Sequence, residues 1–230
     1  MLEYDLKPKP SQIIQDTYYD TNERFLREKR ITLRIRRMDD TLLLSTKSDI
    51  RRIAGDIIQR REMERPWSYA SIRMLASNLK LYIPIMSGSK FQNLPVSRVL
   101  ATMGLEVIQE RRTHREPRDI VIRDKIPVSI LAELAIDHVT YDFGDISVGL
   151  SEIEIEAKAA RSLSKVREIA DTLVSEYSPS LQQWFHGKFV TGLAIQKLLK
   201  TKAFRSSLVN GDLSPEALRL IERVIQSRRF

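Results

Sequence analysis

The most constraining run in the chain is Glu152-Ile153-Glu154-Ile155-Glu156-Ala157-Lys158, in which charged and apolar side chains alternate residue by residue. A period of two marks a strand with unlike faces, so three carboxylates project from one side and two isoleucines from the other. Carboxylates two residues apart on one face repel each other and need water or a cation beside them. A solvated outer face of an antiparallel sheet meets that need, and so does a charge-lined interior.

The same spacing recurs elsewhere. Arg60-Arg61-Glu62-Met63-Glu64 places Arg60, Glu62 and Glu64 on one face, and Leu33-Arg34-Ile35-Arg36 repeats the pattern with positive charge, with Lys47 in the next strand. A barrel interior lined by both signs cannot be a packed core, because an unpaired buried charge costs several kcal/mol. Such a lumen holds water, ions or a charged ligand; a salt-bridged outer surface is the competing reading. Hard carboxylate oxygens suit Mg²⁺ or Mn²⁺, and guanidinium groups suit phosphate oxygens.

The 230 residues carry 38 basic and 30 acidic side chains, a formal charge of +8, which favours an anionic partner. The basic residues mostly alternate with apolar ones inside expected strands. A nucleic-acid arm or a lipid-binding helix would cluster them, so the pattern argues against both. No apolar run is long enough for a membrane helix, and Met1-Leu2-Glu3-Tyr4-Asp5 has no signal-peptide pattern. The chain has no cysteine, which excludes disulfides, thiol nucleophiles and thiolate metal sites, and a cytoplasmic protein is expected. Neither a phosphate-binding P-loop nor a G-x-S-x-G elbow occurs. His114, His138 and His186 are widely spaced and read as surface or packing residues, and Trp67 and Trp184 as core or rim.

Strands are expected over 12–20, 31–36, 42–47 and 57–65, then helices over 68–81 and 95–103 around an irregular connection from Ile83 to Asn93. A second block of strands follows over 105–115, 119–125, 131–143 and 146–158, the last two joined by the turn Asp142-Phe143-Gly144-Asp145. Helices over 162–176 and 181–199 and one opening at Ser214-Pro215 complete an α+β chain.

The run Gln15-Asp16-Thr17-Tyr18-Tyr19-Asp20-Thr21, followed by Arg34-x-Arg36, Lys47 and Arg60-x-Glu62-x-Glu64, resembles the CYTH family of triphosphate tunnel metalloenzymes. That family includes thiamine triphosphatases, inorganic tripolyphosphatases and class IV adenylate cyclases. Arg112, Asp137-His138-Val139, the glutamate ladder and His186-Gly187-Lys188-Phe189 extend the likeness. It implies an antiparallel eight-stranded β-tunnel with peripheral helices over 1–199 and a helical extension over 200–230. It also implies Mg²⁺- or Mn²⁺-dependent hydrolysis of a triphosphate or short polyphosphate. Arg34, Arg36, Arg60, Arg112 and Lys188 would grip phosphates, with Asp137 supporting them. Glu62, Glu64 and Lys47 would serve catalysis, and Glu152, Glu154 and Glu64 would hold metal, with Glu156 replacing Glu152 if the ladder's register shifts.

The family's opening E-x-E-x-K strand is matched only by Glu3-x-Asp5-x-Lys7, so this strand is expected to be missing or degenerate and the tunnel incomplete. Whether the chain is an enzyme therefore stays open. A polyphosphate-binding module without turnover and a class IV adenylate cyclase are the alternatives.

Overall fold

The computed structural model describes residues 3–54, 57–82, 91, 93–123 and 129–227, with backbone alone for 49–54 and 57–61. Among these residues there are ten strands and seven α-helices, a mixed α+β fold with mostly antiparallel pairing. The chain divides into two compact units, one of residues 14–112 and one of residues 1–13 with 113–230. Gly55, in the expected polar connection, and most of the connection from Ile83 to Asn93 lie outside the described residues.

In the 14–112 unit the strands run in the order β5-β4-β3-β2-β6, where β2 is Gln12–Thr21, β3 Thr32–Met38, β4 Thr41–Ala54, β5 Ile57–Pro66 and β6 Leu105–Ile122. Asp39 takes a left-handed backbone (φ 49°) in the two-residue turn between β3 and β4, a conformation Asp tolerates. The alternation along β3 then does what the sequence predicts. Leu33 and Ile35 turn to one side and are buried with Tyr19 and Leu44, while Arg34 and Arg36 turn to the other.

Two helices cover the apolar side, α2 (Tyr69–Leu79) through Ile72, Leu75 and Ala76 and α3 (Val96–Ala101) through Val99 and Leu100. Each fully buried Leu or Ile contributes about 1.5–3 kcal/mol. Ser68 caps α2 by accepting a hydrogen bond from the Ser71 amide at 3.1 Å. A one-turn helix, α1 (Phe25–Glu28), follows β2. The buried Asp20 carboxylate accepts from the amides of Leu26 and Arg27 there.

The second unit is built on the later part of β6, β7 (Ile130–Asp142) and β8 (Ser147–Ala157). β7 and β8 pair antiparallel from Asp142↔Ser147 to Ala132↔Ala157. Leu134, Ile136, Ile153 and Ile155 share one face, packed against Val166, Ile169 and Leu173 of α4 (Leu163–Tyr177). The opposite face is divided along its length. Val139, Tyr141 and Val148 at one end pack under α5 (Lys188–Leu198) and α7 (Pro215–Gln226), and the other end carries acidic side chains.

Four expectations need correcting. β6 is one strand of 18 residues where two were expected, Pro117 being accommodated within it. Helix α5 starts only at Lys188, so residues 181–187 are not helical. A strand does form at the degenerate opening run: β1 (Tyr4–Pro8) pairs antiparallel with β6 from Tyr4↔Ile122 to Pro8↔Arg118. Finally, the segment after 199, expected as a helical extension, also contains two short strands. Helix α6 (Lys202–Ser206), the small strands β9 (Leu208–Val209) and β10 (Asp212–Leu213), and α7 belong to the second unit, with Phe204, Ala217 and Ile221 fully buried among β7 and β8 residues. β10 runs parallel to β8 through Asp212↔Gly149.

Because Ile221 has no exposed surface while Val209 is 59% exposed, the two positions separate core from periphery within this segment. Ile221→Ala is expected to lower unfolding free energy by about 2–5 kcal/mol. Val209→Ala should change it by less than about 0.5 kcal/mol. Urea denaturation followed by circular dichroism measures both, and equal small effects would mean that the C-terminal segment is not part of the core.

Candidate functional site

The charged side of the 14–112 unit follows directly from register. Asp16 lies opposite Arg36, Tyr18 opposite Arg34, Arg34 opposite Ser45, Ser45 opposite Glu64, and Lys47 opposite Glu62. Side chains at paired positions share a face. Four strands therefore present Asp16, Arg34, Arg36, Ser45, Lys47, Glu62 and Glu64 together, away from the apolar core.

Asp16 is the anchor of this face. Its carboxylate, 1% exposed, accepts two hydrogen bonds from Arg36, from Nε at 2.8 Å and Nη2 at 3.0 Å, and one from Arg111 Nη2 at 2.6 Å. Arg34 Nε lies 3.5 Å away. Burial acts to raise the carboxyl pKa, but the Arg36 hydrogen bonds and the charges of Arg111 and Arg34 outweigh it and hold Asp16 well below the usual carboxylate range. Arg111 also lies over the Tyr18 ring, 5.2 Å from its centroid. Arg34 reaches outward through Nη2, donating to Ser45 Oγ at 3.4 Å and lying 3.7 Å from Glu62 and 3.5 Å from Glu64. Ser45 in turn donates to Glu64 at 2.7 Å, and Lys47 pairs with Glu62 at 3.0 Å. The Glu62, Glu64 and Lys47 side chains are about one third to two fifths exposed, so solvent reaches them while Arg34 below is buried.

Four cations (Arg34, Arg36, Lys47, Arg111) meet three carboxylates (Asp16, Glu62, Glu64) here, leaving one positive charge in excess among the described side chains. That balance suits an anion.

The second unit carries the complementary cluster. Asp137, fully buried, accepts two hydrogen bonds from Arg115, Nε at 2.8 Å and Nη2 at 2.6 Å. Lys188 Nζ lies 2.9 Å from Asp137 and 2.6 Å from Glu154, and is in contact with Glu152 as well. Arg115 also donates to Glu154. The ligand oxygens of Asp137, Glu152 and Glu154 lie within 4.8 Å of one another. Burial raises Glu152, and the negative charges of Glu154 and Asp137 reinforce the rise. Burial opposes the lowering of Glu154, but the Lys188 ammonium and Arg115 prevail. Two cations against three carboxylates leave this cluster one negative charge in excess.

Lys188 is positioned by packing. Ala194 and Ile195 of α5 are fully buried against β7 and β8, and the Tyr141 hydroxyl donates to the Lys188 carbonyl at 3.0 Å. The first residue of the helix is thereby fixed at the junction of the apolar and acidic parts of the sheet face.

The structure thus groups Arg34, Arg36, Lys47, Glu62 and Glu64 in one cluster and Asp137, Glu152, Glu154 and Lys188 in the other. Glu64, also expected among the metal ligands, stands with the first cluster on Ser45 and Arg34. Glu156 lies opposite Glu133, its side chain 75% exposed, so the ladder's register favours Glu152 and Glu154. Arg112 is exposed on the face of β6 opposite Arg111 and Thr113, away from both clusters' acidic partners. Its β6 neighbours Arg111 and Arg115 are the arginines that pair with Asp16 and Asp137. Asp16 was not singled out as a site residue. Its signal is the period of two that puts Asp16 on the same face of β2 as Ile14 and Tyr18. The side chain of Arg60 lies outside the described residues.

The CYTH domain model matches residues 3–183, and the chain belongs to that family. Comparison with curated proteins gives no match. Among solved structures, the chain is similar to an adenylyl cyclase candidate from Hippeastrum described as having a dominant triphosphatase activity, with 19% identity, 82% of this chain and 84% of that chain covered, and a TM-score of 0.48. It is similar to a Pyrococcus horikoshii OT3 protein at 16% identity, with 85% and 89% covered and a TM-score of 0.45. An adenylate cyclase candidate from Bacillus halodurans matches at 15% identity, with 79% and 94% covered and a TM-score of 0.40. Among the described residues no helix is long and apolar enough to cross a membrane.

Asp16→Asn would leave three guanidinium groups facing a neutral amide, and is expected to destabilise the fold by about 3–5 kcal/mol. The folded-state pKa of Asp16 is depressed, so its contribution is complete above the unfolded value near about 4 and is lost as pH falls below it. Between pH 6 and pH 3 the urea midpoint of the wild type should therefore fall more than that of the variant. Parallel declines would contradict the role given to Asp16.

Proposed function

We propose that the chain catalyses metal-dependent hydrolysis of a triphosphate or short polyphosphate, in the charged β-tunnel that the family resemblance implies. The observation that carries this reading is the shared face of β3, β4 and β5. There, buried Arg34 lies beneath the half-exposed Lys47, Glu62 and Glu64, with Arg36 fixed alongside by Asp16.

In this reading Arg34, Arg36 and Lys47 neutralise phosphate oxygens, and their carboxylate partners fix the direction of each donor before substrate arrives. Preorganised donors cost no reorientation in the transition state. Glu64, already accepting from Ser45, or Glu62 accepts a proton from water as its oxygen attacks the terminal phosphorus. The bridging P–O bond breaks, and its electron pair leaves with the shortened phosphate chain.

The donor chemistry of Asp137, Glu152 and Glu154, three hard carboxylates within reach of one point, fits Mg²⁺ or Mn²⁺. An ion held by these three carboxylates would supply positive charge to phosphate oxygens. Asp137 keeps Arg115 and Lys188 aligned on the same cluster.

One observation favours a second reading, a module that binds polyphosphate without turnover. In β1, which replaces the family's opening acidic strand, Asp5 is held by Arg123 at 2.9 Å and both side chains are nearly half exposed. Asp5 does not join the oxygens of Asp137, Glu152 and Glu154 that converge among the described residues.

Purified protein incubated with tripolyphosphate, thiamine triphosphate or ATP, with Mg²⁺ or Mn²⁺, distinguishes the readings. Metal-dependent phosphate release is expected, and Lys47→Ala should lower kcat/KM for the preferred substrate by about 10-fold or more, the scale of one charge-assisted contact. Because Lys47 is one third exposed, the variant should stay within about 1 kcal/mol of wild-type stability. Binding without product would favour the module, and cyclic AMP from ATP would favour a cyclase. Absence of both binding and turnover would defeat the proposal.

A further inference from the structure

Lys188 occupies the place where a metal ion would be expected to compete for the same oxygens. Its ammonium touches all three carboxylates of the acidic cluster, and the side chain is only 8% exposed. Without a cation, buried Asp137 and mostly buried Glu152 could not both remain charged beside half-exposed Glu154. Arg115 answers part of that charge by its paired hydrogen bonds to Asp137 and Lys188 answers another part, which leaves one negative charge in excess.

The two cations differ in how far they can move. The planar Arg115 guanidinium is fixed by two donors on Asp137 and a further contact to Glu154. The Lys188 backbone is equally fixed, through Tyr141 and the buried face of α5, but its ammonium sits on a flexible four-carbon stem. An incoming divalent ion and the Lys188 ammonium seek the same carboxylate oxygens and repel each other. Movement of the stem resolves the conflict without disturbing the helix.

We propose that Lys188 is a resident substitute cation, which keeps the carboxylate trio assembled in the metal-free protein and is displaced from it when a divalent ion binds. This inference rests on the metal-binding reading of the cluster given above. It has a consequence for substrate: a displaced ammonium is a cation released beside the metal, so occupancy of the cluster by metal and capture of a phosphate anion by Lys188 favour each other. Lys188 then acts as a binding residue that couples the two events.

Mn²⁺ alone is the probe. Its binding to the full chain is measured by electron paramagnetic resonance, in wild type and in Lys188→Met, which keeps an apolar stem and removes the charge. In parallel, wild-type protein is treated with an amine-reactive ester across the same Mn²⁺ range, and modification of Lys188 is quantified by mass spectrometry against the exposed Lys200. The expected results are Mn²⁺ affinity tightened about 10-fold or more in the variant, and a rise in Lys188 modification that follows Mn²⁺ occupancy. If Lys188→Met does not fold, the wild-type labelling decides alone. Bound Mn²⁺ with unchanged Lys188 reactivity, or with equal or weaker affinity in a folded variant, overturns the displacement while leaving the metal site standing. Failure of both proteins to bind Mn²⁺ overturns the metal reading and this inference together.

Discussion

Buried carboxylates that must be answered by cations govern the charged parts of this protein. Asp16 and Asp137, each with almost no exposed surface, are held in the same way: one arginine donates through Nε and Nη2, and a second cation approaches from another element. Removing one of these partners would leave a buried charge only partly answered, at a cost of up to several kcal/mol. The fold therefore cannot let these side chains wander. β6 supplies an arginine to each aspartate, Arg111 to Asp16 and Arg115 to Asp137.

Once those anchors are set, the remaining charges divide unequally. The face built around Asp16 has a positive excess, and the cluster around Asp137 has a negative one, among the described side chains. Under the proposed function a polyphosphate meets the first and a divalent cation the second, and each relieves repulsion that the protein alone leaves unanswered. The apolar halves of the same strands hold these faces in place. Leu33, Ile35 and Leu44 are buried beneath α2 and α3, and the two isoleucines of the glutamate ladder pack beneath α4.

The strand alternation that defines both charged faces could be read from the sequence, because period two depends only on local backbone geometry. Leu33 and Ile35 against Arg34 and Arg36, and Ile153 and Ile155 against Glu152 and Glu154, take the sides that the alternation assigns. Caps were also readable: Ser68 and Ser214 accept hydrogen bonds from the amides three residues on, as their positions before helical runs imply. What depended on long-range pairing was not. Whether Arg111 or Arg112 turns inward is set by the pairing of β6 with its neighbours, and an arginine doublet offers no local clue. The strand at Tyr4–Pro8 carries little β character of its own and is fixed by its pairing with residues 118–122. The burial of Phe204 and Ile221 against β7 and β8 likewise arises from tertiary packing, which a count of residues beyond the last strand does not reveal.

Under the proposed function, alternate side chains of β3 and β4 form the surface that receives phosphate. Diffraction from crystals soaked with a non-hydrolysable tripolyphosphate analogue is then expected to place phosphate oxygens against the side chains of Arg34, Arg36 and Lys47. Phosphate bound instead around Arg112 on the opposite face of β6, with the Asp16 face unchanged, would contradict it.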